Sequence, residues 1–111
     1  MADKRHCRNT KTCMLYFKRR ESAGSGYVND KGHFVLMKGS ELRRDITKSC
    51  PEGALILRKK YTELGLVENY RTLANIEFSS SSMALQFLTA YSVSGPGSWA
   101  TEDGILLRDL N

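Results

Sequence analysis

The sequence is poor in the residues on which most catalytic and metal sites depend. Its 111 residues contain two histidines, three cysteines and one tryptophan. His6 and His33 belong to no recognisable pairing of nucleophile and base, and no Gly-Lys-Ser/Thr loop is present to hold phosphates. A zinc site that used His6, Cys7 and Cys13 would lack paired spacing and would need a fourth ligand. We therefore expect no catalytic residues, no metal and no cofactor, and we expect that the protein is not an enzyme.

Long apolar runs are also missing. No segment approaches the roughly 18 apolar residues of a membrane span, and the N-terminus, Met-Ala-Asp-Lys-Arg-His, has no apolar stretch after its charges. We therefore expect no membrane segment and no signal peptide, and a cytoplasmic location. The cysteines at positions 7, 13 and 50 are odd in number and irregularly spaced. This pattern predicts three free thiols in a reducing compartment.

Basic residues are scarce in the last third of the chain. Residues 1–71 hold 16 Lys and Arg against eight Asp and Glu, whereas residues 72–111 hold one against four, and the net charge is +5. This uneven distribution predicts a basic face for a polyanion such as nucleic acid. The alternative is that the basic residues only keep a small domain in solution.

Apolar patterning predicts a single α+β domain over residues 12–111, preceded by a flexible basic arm at residues 1–11. Residues 12–19, 23–28 and 33–38 are rich in strand formers and are separated by turn residues. They are expected to form a small N-terminal antiparallel meander.

Two helices and a closing hairpin are expected after the meander. Pro51 can open a helix over residues 51–64 that stops at Gly65, and serines can cap a second helix over residues 81–91. The apolar stripes of these helices are Ala54, Leu57, Tyr61 and Leu64, and Ala84, Phe87, Leu88 and Tyr91. The remaining predicted elements are short strands at 66–67 and 73–78, around a polar turn at 68–71, and a C-terminal β-hairpin at 99–107.

Four spaced motifs carry a family resemblance. They are Phe-Val-Leu-Met-Lys-Gly-Ser at 34–40, Phe-Ser-Ser-Ser-Ser-Met-Ala at 78–84, Gly-Pro-Gly-Ser-Trp at 95–99 and Gly-Ile-Leu-Leu at 104–107. Together they resemble domain-of-unknown-function family 4357, an accessory domain often appended to GIY-YIG nucleases. The resemblance covers roughly residues 13 to 110. Three positions depart from the family's pattern, because Ser81 replaces a proline, Ser94 replaces an asparagine and Pro96 stands where a bulkier residue is usual.

The resemblance implies that the protein takes part in prokaryotic DNA restriction and processing. It does not imply that the domain catalyses a reaction. The GIY-YIG catalytic motif is absent, so any nuclease activity would belong to a partner or to a separate domain. The C-terminal half is also similar to the RAMA domain, which is associated with restriction enzymes and adenine methylases and is proposed to contact DNA. That lesser similarity depends on the serine-capped helix, the Gly-to-Trp loop and the final hairpin.

Basic residues at the ends of predicted strands and in the later turns of the first helix are the candidates for contact with phosphates. They are Lys18, Arg19, Arg20, Lys38, Arg43, Arg44, Arg58, Lys59 and Lys60. The alternatives are solvated strand ends and, for the helix, cations that complement the helix dipole. We expect binding of duplex DNA without sequence preference, weakened by salt.

A second candidate site combines the start of the second helix with the loop that follows it. Ser80 and Ser82 offer hydroxyls and free backbone N–H groups for a phosphate, or they simply cap the helix. Gly95 and Trp99 form a loop that could present the indole ring to a base, but we expect Trp99 to be a core residue, because large aromatic side chains dominate small cores.

The sequence thus predicts a non-catalytic module that contacts DNA through a basic face. The alternative is a protein-interaction or assembly domain that docks onto a nuclease or a methylase, as a partner or as a fused domain. The two hypotheses differ in their expected response to salt and in whether the basic residues share one surface.

Overall fold

The computed structural model describes residues 13–110 and consists of one four-stranded sheet, a small second sheet and two helices. The elements are β1 (Leu15–Lys18), β2 (Ala23–Val28), β3 (Phe34–Leu36), α1 (Glu52–Glu63), β4 (Val67–Glu68), β5 (Arg71–Thr72), β6 (Ile76–Phe78), α2 (Ser81–Thr89) and a 3-10 helix (Leu107–Asp109). The predicted α+β class is confirmed. The arm predicted at residues 1–11 lies outside the described residues.

The larger sheet is antiparallel throughout and has the order β1-β2-β3-β6. In β1, Leu15 and Phe17 are buried, whereas Tyr16 and Lys18 face solvent. The strands β3 and β6 bury their first and last residues in the same way. The alternation of side chains along a strand therefore gives the sheet one core face and leaves polar residues on the other.

The core lies between this sheet and α2. The buried residues of α2 include Leu85, Phe87 and Leu88. From α1, Tyr61 reaches the same core, where its ring centroid lies 6.0 Å from that of Phe78 and 5.9 Å from that of Phe87. The sheet, α2 and α1 are thus joined by one continuous apolar cluster.

The last residue of each predicted apolar stripe is exposed and not buried. Leu64 is 61% exposed and Tyr91 is 37% exposed, because α1 ends at Glu63 and α2 ends at Thr89, before these side chains can continue the stripe. The expected stop after α1 is confirmed, since Gly65 adopts a φ of 79° that glycine accepts without strain.

The C-terminal segment closes the fold beside β1. Ala100 forms an antiparallel bridge to Tyr16 on one side and to Leu106 on the other. The turn between the two arms is closed by the N–H of Gly104, which donates to the carbonyl of Thr101 at 2.8 Å. The predicted C-terminal hairpin is therefore present in a short form, and its first arm covers the edge of β1.

One prediction about the cysteines is wrong. Cys13 is disulfide-bonded, whereas Cys50 is a free thiol. The third cysteine, Cys7, lies outside the described residues. The expectation of three free thiols rests on an odd count and irregular spacing, and neither property excludes a disulfide. In the described range, no helix is both long enough and apolar enough to cross a membrane.

Candidate nucleic-acid interface

A cleft of about 490 Å³ lies between two turns that carry basic residues. The β1–β2 turn is closed by the N–H of Arg19, which donates to the carbonyl of Ser22 at 2.8 Å. The β4–β5 turn lies opposite. Between the two turns runs the backbone of Glu41, which forms one bridge to Ala23 and another to Arg71. This backbone ladder holds the two basic turns at a set distance from each other.

Cations outnumber carboxylates in the lining of this cleft. Its charged residues are Lys18, Arg19, Arg20, Arg44 and Arg71, with Glu21, Glu41 and Asp45. Two of the carboxylates are engaged in ion pairs: Glu21 lies 3.4 Å from the guanidinium of Arg43, and Glu41 lies 3.0 Å from that of Arg71. These pairs neutralise most of the negative charge that would otherwise oppose an anion in the cleft.

Four of the cations keep their charge available. Residues 18–20 and Arg44 form no ion pair within the part of the chain that the structure describes. Two of them contact aromatic rings instead: Arg19 lies 5.4 Å from the ring centroid of Phe17, and Arg44 lies 4.8 Å from that of Tyr70. A cation over a ring face is oriented without being neutralised, so the cleft has a surplus of positive charge.

The β4–β5 turn is the part of the site that the sequence analysis missed. Its two central residues, Asn69 and Tyr70, have φ values of 55° and 60°, as a two-residue type I′ turn requires. Asparagine tolerates this conformation, but the second position strongly favours glycine. Asn69 also accepts a hydrogen bond from Arg44 at 3.4 Å. An asparagine between two short predicted strands is the available signal for such a turn, and by itself it predicts only a polar turn at 68–71.

Two predicted contacts, Arg43 and Lys60, lie over tyrosine rings and outside the cleft. Arg43 lies 5.0 Å from the ring centroid of Tyr91 and donates to its hydroxyl at 3.1 Å, and its Nε donates to the carbonyl of Asp45. Lys60 lies 5.4 Å from the ring centroid of Tyr61. The contacts of Arg43 and its pairing with Glu21 make it a support for the cleft wall.

Lys38 and Lys59 lie in depressions next to the cleft. Lys38 shares a shallow groove with Lys18, on the side of β1 and β2. Lys59 lines a groove along α1 that also includes Arg44 and Tyr70. Both lysines are exposed, so they extend the positive surface beyond the cleft without belonging to it.

Arg58 is a correction to the predicted set of contacts, because it is a buried structural residue. Only 8% of its surface is exposed. Its Nε and Nη2 donate to the carbonyls of Phe87 and Leu88 at 2.8 and 3.1 Å, and its Nη1 donates to the carbonyl of Arg43 at 2.8 Å. Burial lowers the pKa of Arg58, but an arginine remains charged in proteins. Arg58 therefore caps the C-terminus of α2, where a cation complements the helix dipole.

The serines at the start of α2 are occupied by groups of the protein itself. The hydroxyl of Ser80 accepts a hydrogen bond from the N–H of Met83 at 3.1 Å, which confirms its capping role. The hydroxyl of Ser82 accepts from the N–H of Gly95 at 2.8 Å. A Cβ at position 95 would lie 2.4 Å from the backbone N of Ser82, so only glycine allows the loop to approach this closely.

Trp99 is a core residue, as expected. Its surface is completely buried, and its ring centroid lies 4.5 Å from that of Phe34 and 6.0 Å from that of Phe17. Its Nε1 donates to the carbonyl of Ser81 at 3.0 Å. The ring therefore joins the C-terminal loop to the sheet and to α2, and it has no free face on which a base could stack.

The described residues contain no cluster of three metal-ligating side chains.

Comparison with known proteins identifies the family of this chain. No curated protein and no solved structure matches the chain. The family described as "Domain of unknown function (DUF4357)" matches residues 15–111, a range that includes both the basic cleft and the cluster at the start of α2. Since this match extends over most of the sequence, the chain belongs to the DUF4357 family.

Proposed function

We propose that this domain is a non-catalytic module that binds DNA through the cleft between the β1–β2 and β4–β5 turns. The observation that carries the proposal is a set of four cations along one cleft that form no ion pair with any described residue: Lys18, Arg19, Arg20 and Arg44. Three of them are consecutive, at the end of β1 and the start of the β1–β2 turn, and the fourth lies over the ring of Tyr70 in the β4–β5 turn. The bridges of Glu41 to Ala23 and to Arg71 keep the two turns close together.

Phosphate recognition follows from the chemistry of these side chains. An arginine guanidinium can donate two parallel hydrogen bonds to a phosphate, and a lysine ammonium acts as a compact positive charge. Contacts of this kind position a nucleic acid without reading its sequence. We therefore expect affinity that depends on salt and little on base sequence.

A salt series tests this proposal directly. A labelled 20-nucleotide strand and its duplex are titrated with the wild-type protein and with the triple variant Lys18→Gln/Arg19→Gln/Arg20→Gln. Log affinity should fall by about 0.7 to 0.9 log units per phosphate contact for each log unit of salt. The triple variant should bind more weakly and with a shallower slope. Absence of binding to either form at low salt, or a flat salt response, would contradict the proposal.

The matched control removes the same charge elsewhere. The variant Lys31→Gln/Lys48→Gln/Lys60→Gln changes three exposed lysines that do not line the cleft. It should retain the slope of the wild-type protein. Equal losses in the two triple variants would mean that overall charge, and not the cleft, accounts for binding.

Protein docking is the second candidate function, and exposed apolar residues near α1 favour it. Ile46 and Leu55 are 48% and 40% exposed, and Ile56 is 60% exposed. The family resemblance implies docking onto a nuclease or a methylase in a prokaryote that restricts or processes DNA, and we propose the cytoplasm as its location. Ile56→Glu should abolish binding to such a purified partner and leave DNA binding unchanged, whereas the cleft variant should do the opposite.

A further inference from the structure

Arg44 and Tyr70 line two depressions at once. On one side lies the basic cleft, and on the other lies a groove of about 420 Å³ along α1 whose lining includes Ile46, Leu55 and Lys59. The two apolar side chains are 48% and 40% exposed. A positively charged surface and an apolar surface therefore meet along the edge that the stacked guanidinium and phenol ring form.

Single-stranded nucleic acid offers the matching combination of groups. Its phosphates carry the negative charge, and its unpaired bases expose flat faces that stack on aromatic side chains and on guanidinium planes. In a duplex these faces are hidden in the base stack, so a duplex can use the cleft but not the groove beside it. The adjacency of the two depressions thus favours an unpaired strand over a paired one.

The backbone of Tyr70 supports a role for its ring. A φ of 60° is strained for a tyrosine, and strain of this kind persists where the surrounding structure holds it and is concentrated at functional positions. The ring does not belong to the core cluster, and 42% of the residue is exposed. Core packing therefore does not account for an aromatic residue at a position that suits glycine.

We propose that the domain prefers single-stranded nucleic acid, with phosphates over residues 18–20 and Arg44 and with one base stacked on Tyr70 at the entrance to the α1 groove. This inference rests on the proposed binding of DNA in the cleft. It adds the strand state of the ligand and the residue that contacts a base.

Tyr70→Gly is the variant that tests the inference, because glycine accepts the φ of this position and the fold is retained. Binding of a labelled 20-nucleotide strand and of its duplex is measured by fluorescence anisotropy at one salt concentration. The wild-type protein should bind the single strand more tightly. Tyr70→Gly should weaken single-strand binding by about 5- to 150-fold, the effect of losing one stacked base, and should weaken duplex binding less, because a duplex loses only the ring that orients Arg44. Tyr70→Phe keeps the ring and should bind like the wild type.

The outcomes separate this inference from the proposed function. If Tyr70→Gly binds both forms as the wild type does, or weakens both equally, base stacking is overturned while salt-dependent binding in the cleft stands. If the wild-type protein binds neither form, both proposals are overturned. An RNA strand of the same base sequence shows which backbone is preferred, and a loss on Tyr70→Gly with either strand supports the inference.

Discussion

The start of α2 and the cleft between the two basic turns both carry polar groups suited to an anion, but only the first set is hydrogen-bonded within the fold. At α2, Ser80 caps the helix, Ser82 accepts from Gly95, and Trp99 donates to the carbonyl of Ser81. At the cleft, residues 18–20 have no ion pair among the described residues.

The difference lies in what packs against each region. The loop at residues 94–99 covers the first turn of α2 so closely that Gly95 has no space for a side chain. The β1–β2 turn faces open space across a cleft. Polar groups that hydrogen-bond to their neighbours contribute to stability, whereas cations that face an open cleft remain available to a ligand. Substitutions at α2 should therefore affect folding, and substitutions at the cleft should affect binding.

Trp99→Ala should have the largest effect on stability. Removal of this buried ring leaves a cavity beside Phe34 and should lower the free energy of unfolding by about 3–5 kcal/mol, as measured by urea denaturation. Tyr16→Ala, at an aromatic residue that is 43% exposed, is the control and should change stability by about 0.5 kcal/mol or less. A stable Trp99→Ala variant that no longer binds DNA would instead make this tryptophan a recognition residue.

Arg58→Met should rank second. The change introduces an apolar side chain of similar length and removes a donor from three backbone carbonyls, of which that of Leu88 keeps the N–H of Arg43, so we expect a loss of about 2–4 kcal/mol in unfolding free energy. Lys59→Met alters the exposed neighbour on the same helix and should leave stability nearly unchanged. If Arg58→Met were as stable as the wild type and its affinity for DNA depended less steeply on salt, Arg58 would be a phosphate contact. That result would contradict the structural role assigned to this arginine.

Ser80→Ala should give the smallest effect. Loss of the cap on α2 should lower the unfolding free energy by about 1 kcal/mol without changing affinity for DNA. Ser79→Ala, at the exposed residue before the cap, is the matched control and should have no effect on either quantity. Weakened DNA binding with unchanged stability in Ser80→Ala would show that the start of α2 is an anion site after all.

Local patterns predicted the elements well, because the signals for strands, turns and caps lie within a few residues. The strand at 23–28 was predicted with its observed bounds, and α1 at 52–63 lies within one residue of the predicted range at each end. The end of α2 was predicted two residues too late, because Ala90 adopts a left-handed conformation with a φ of 60°. An alanine carries no local signal for that conformation.

The candidate site was predicted only in part. The basic turn at 18–20 and Arg44 do line one cleft, but Tyr70 and Arg71, which complete its opposite wall, were not in the predicted set. These residues lie about 50 positions from the first turn in the sequence. Their proximity depends on the bridges that Glu41 makes to both sides, and such long-range pairing leaves no trace in a local pattern.

The sequence by itself determined the helices, the meander, the surplus of basic residues in the first two thirds of the chain and the core role of its tryptophan. The tertiary structure decided which cations remain available. Arg58 and Lys59 are neighbours in one basic run, but Arg58 points into the fold and meets carbonyls 29 and 30 residues away in α2, while Lys59 stays exposed. The sequence shows that a side chain is charged and therefore needs a polar partner when it is buried. Only the folded chain shows whether another part of the protein is that partner or whether the charge stays available to a ligand.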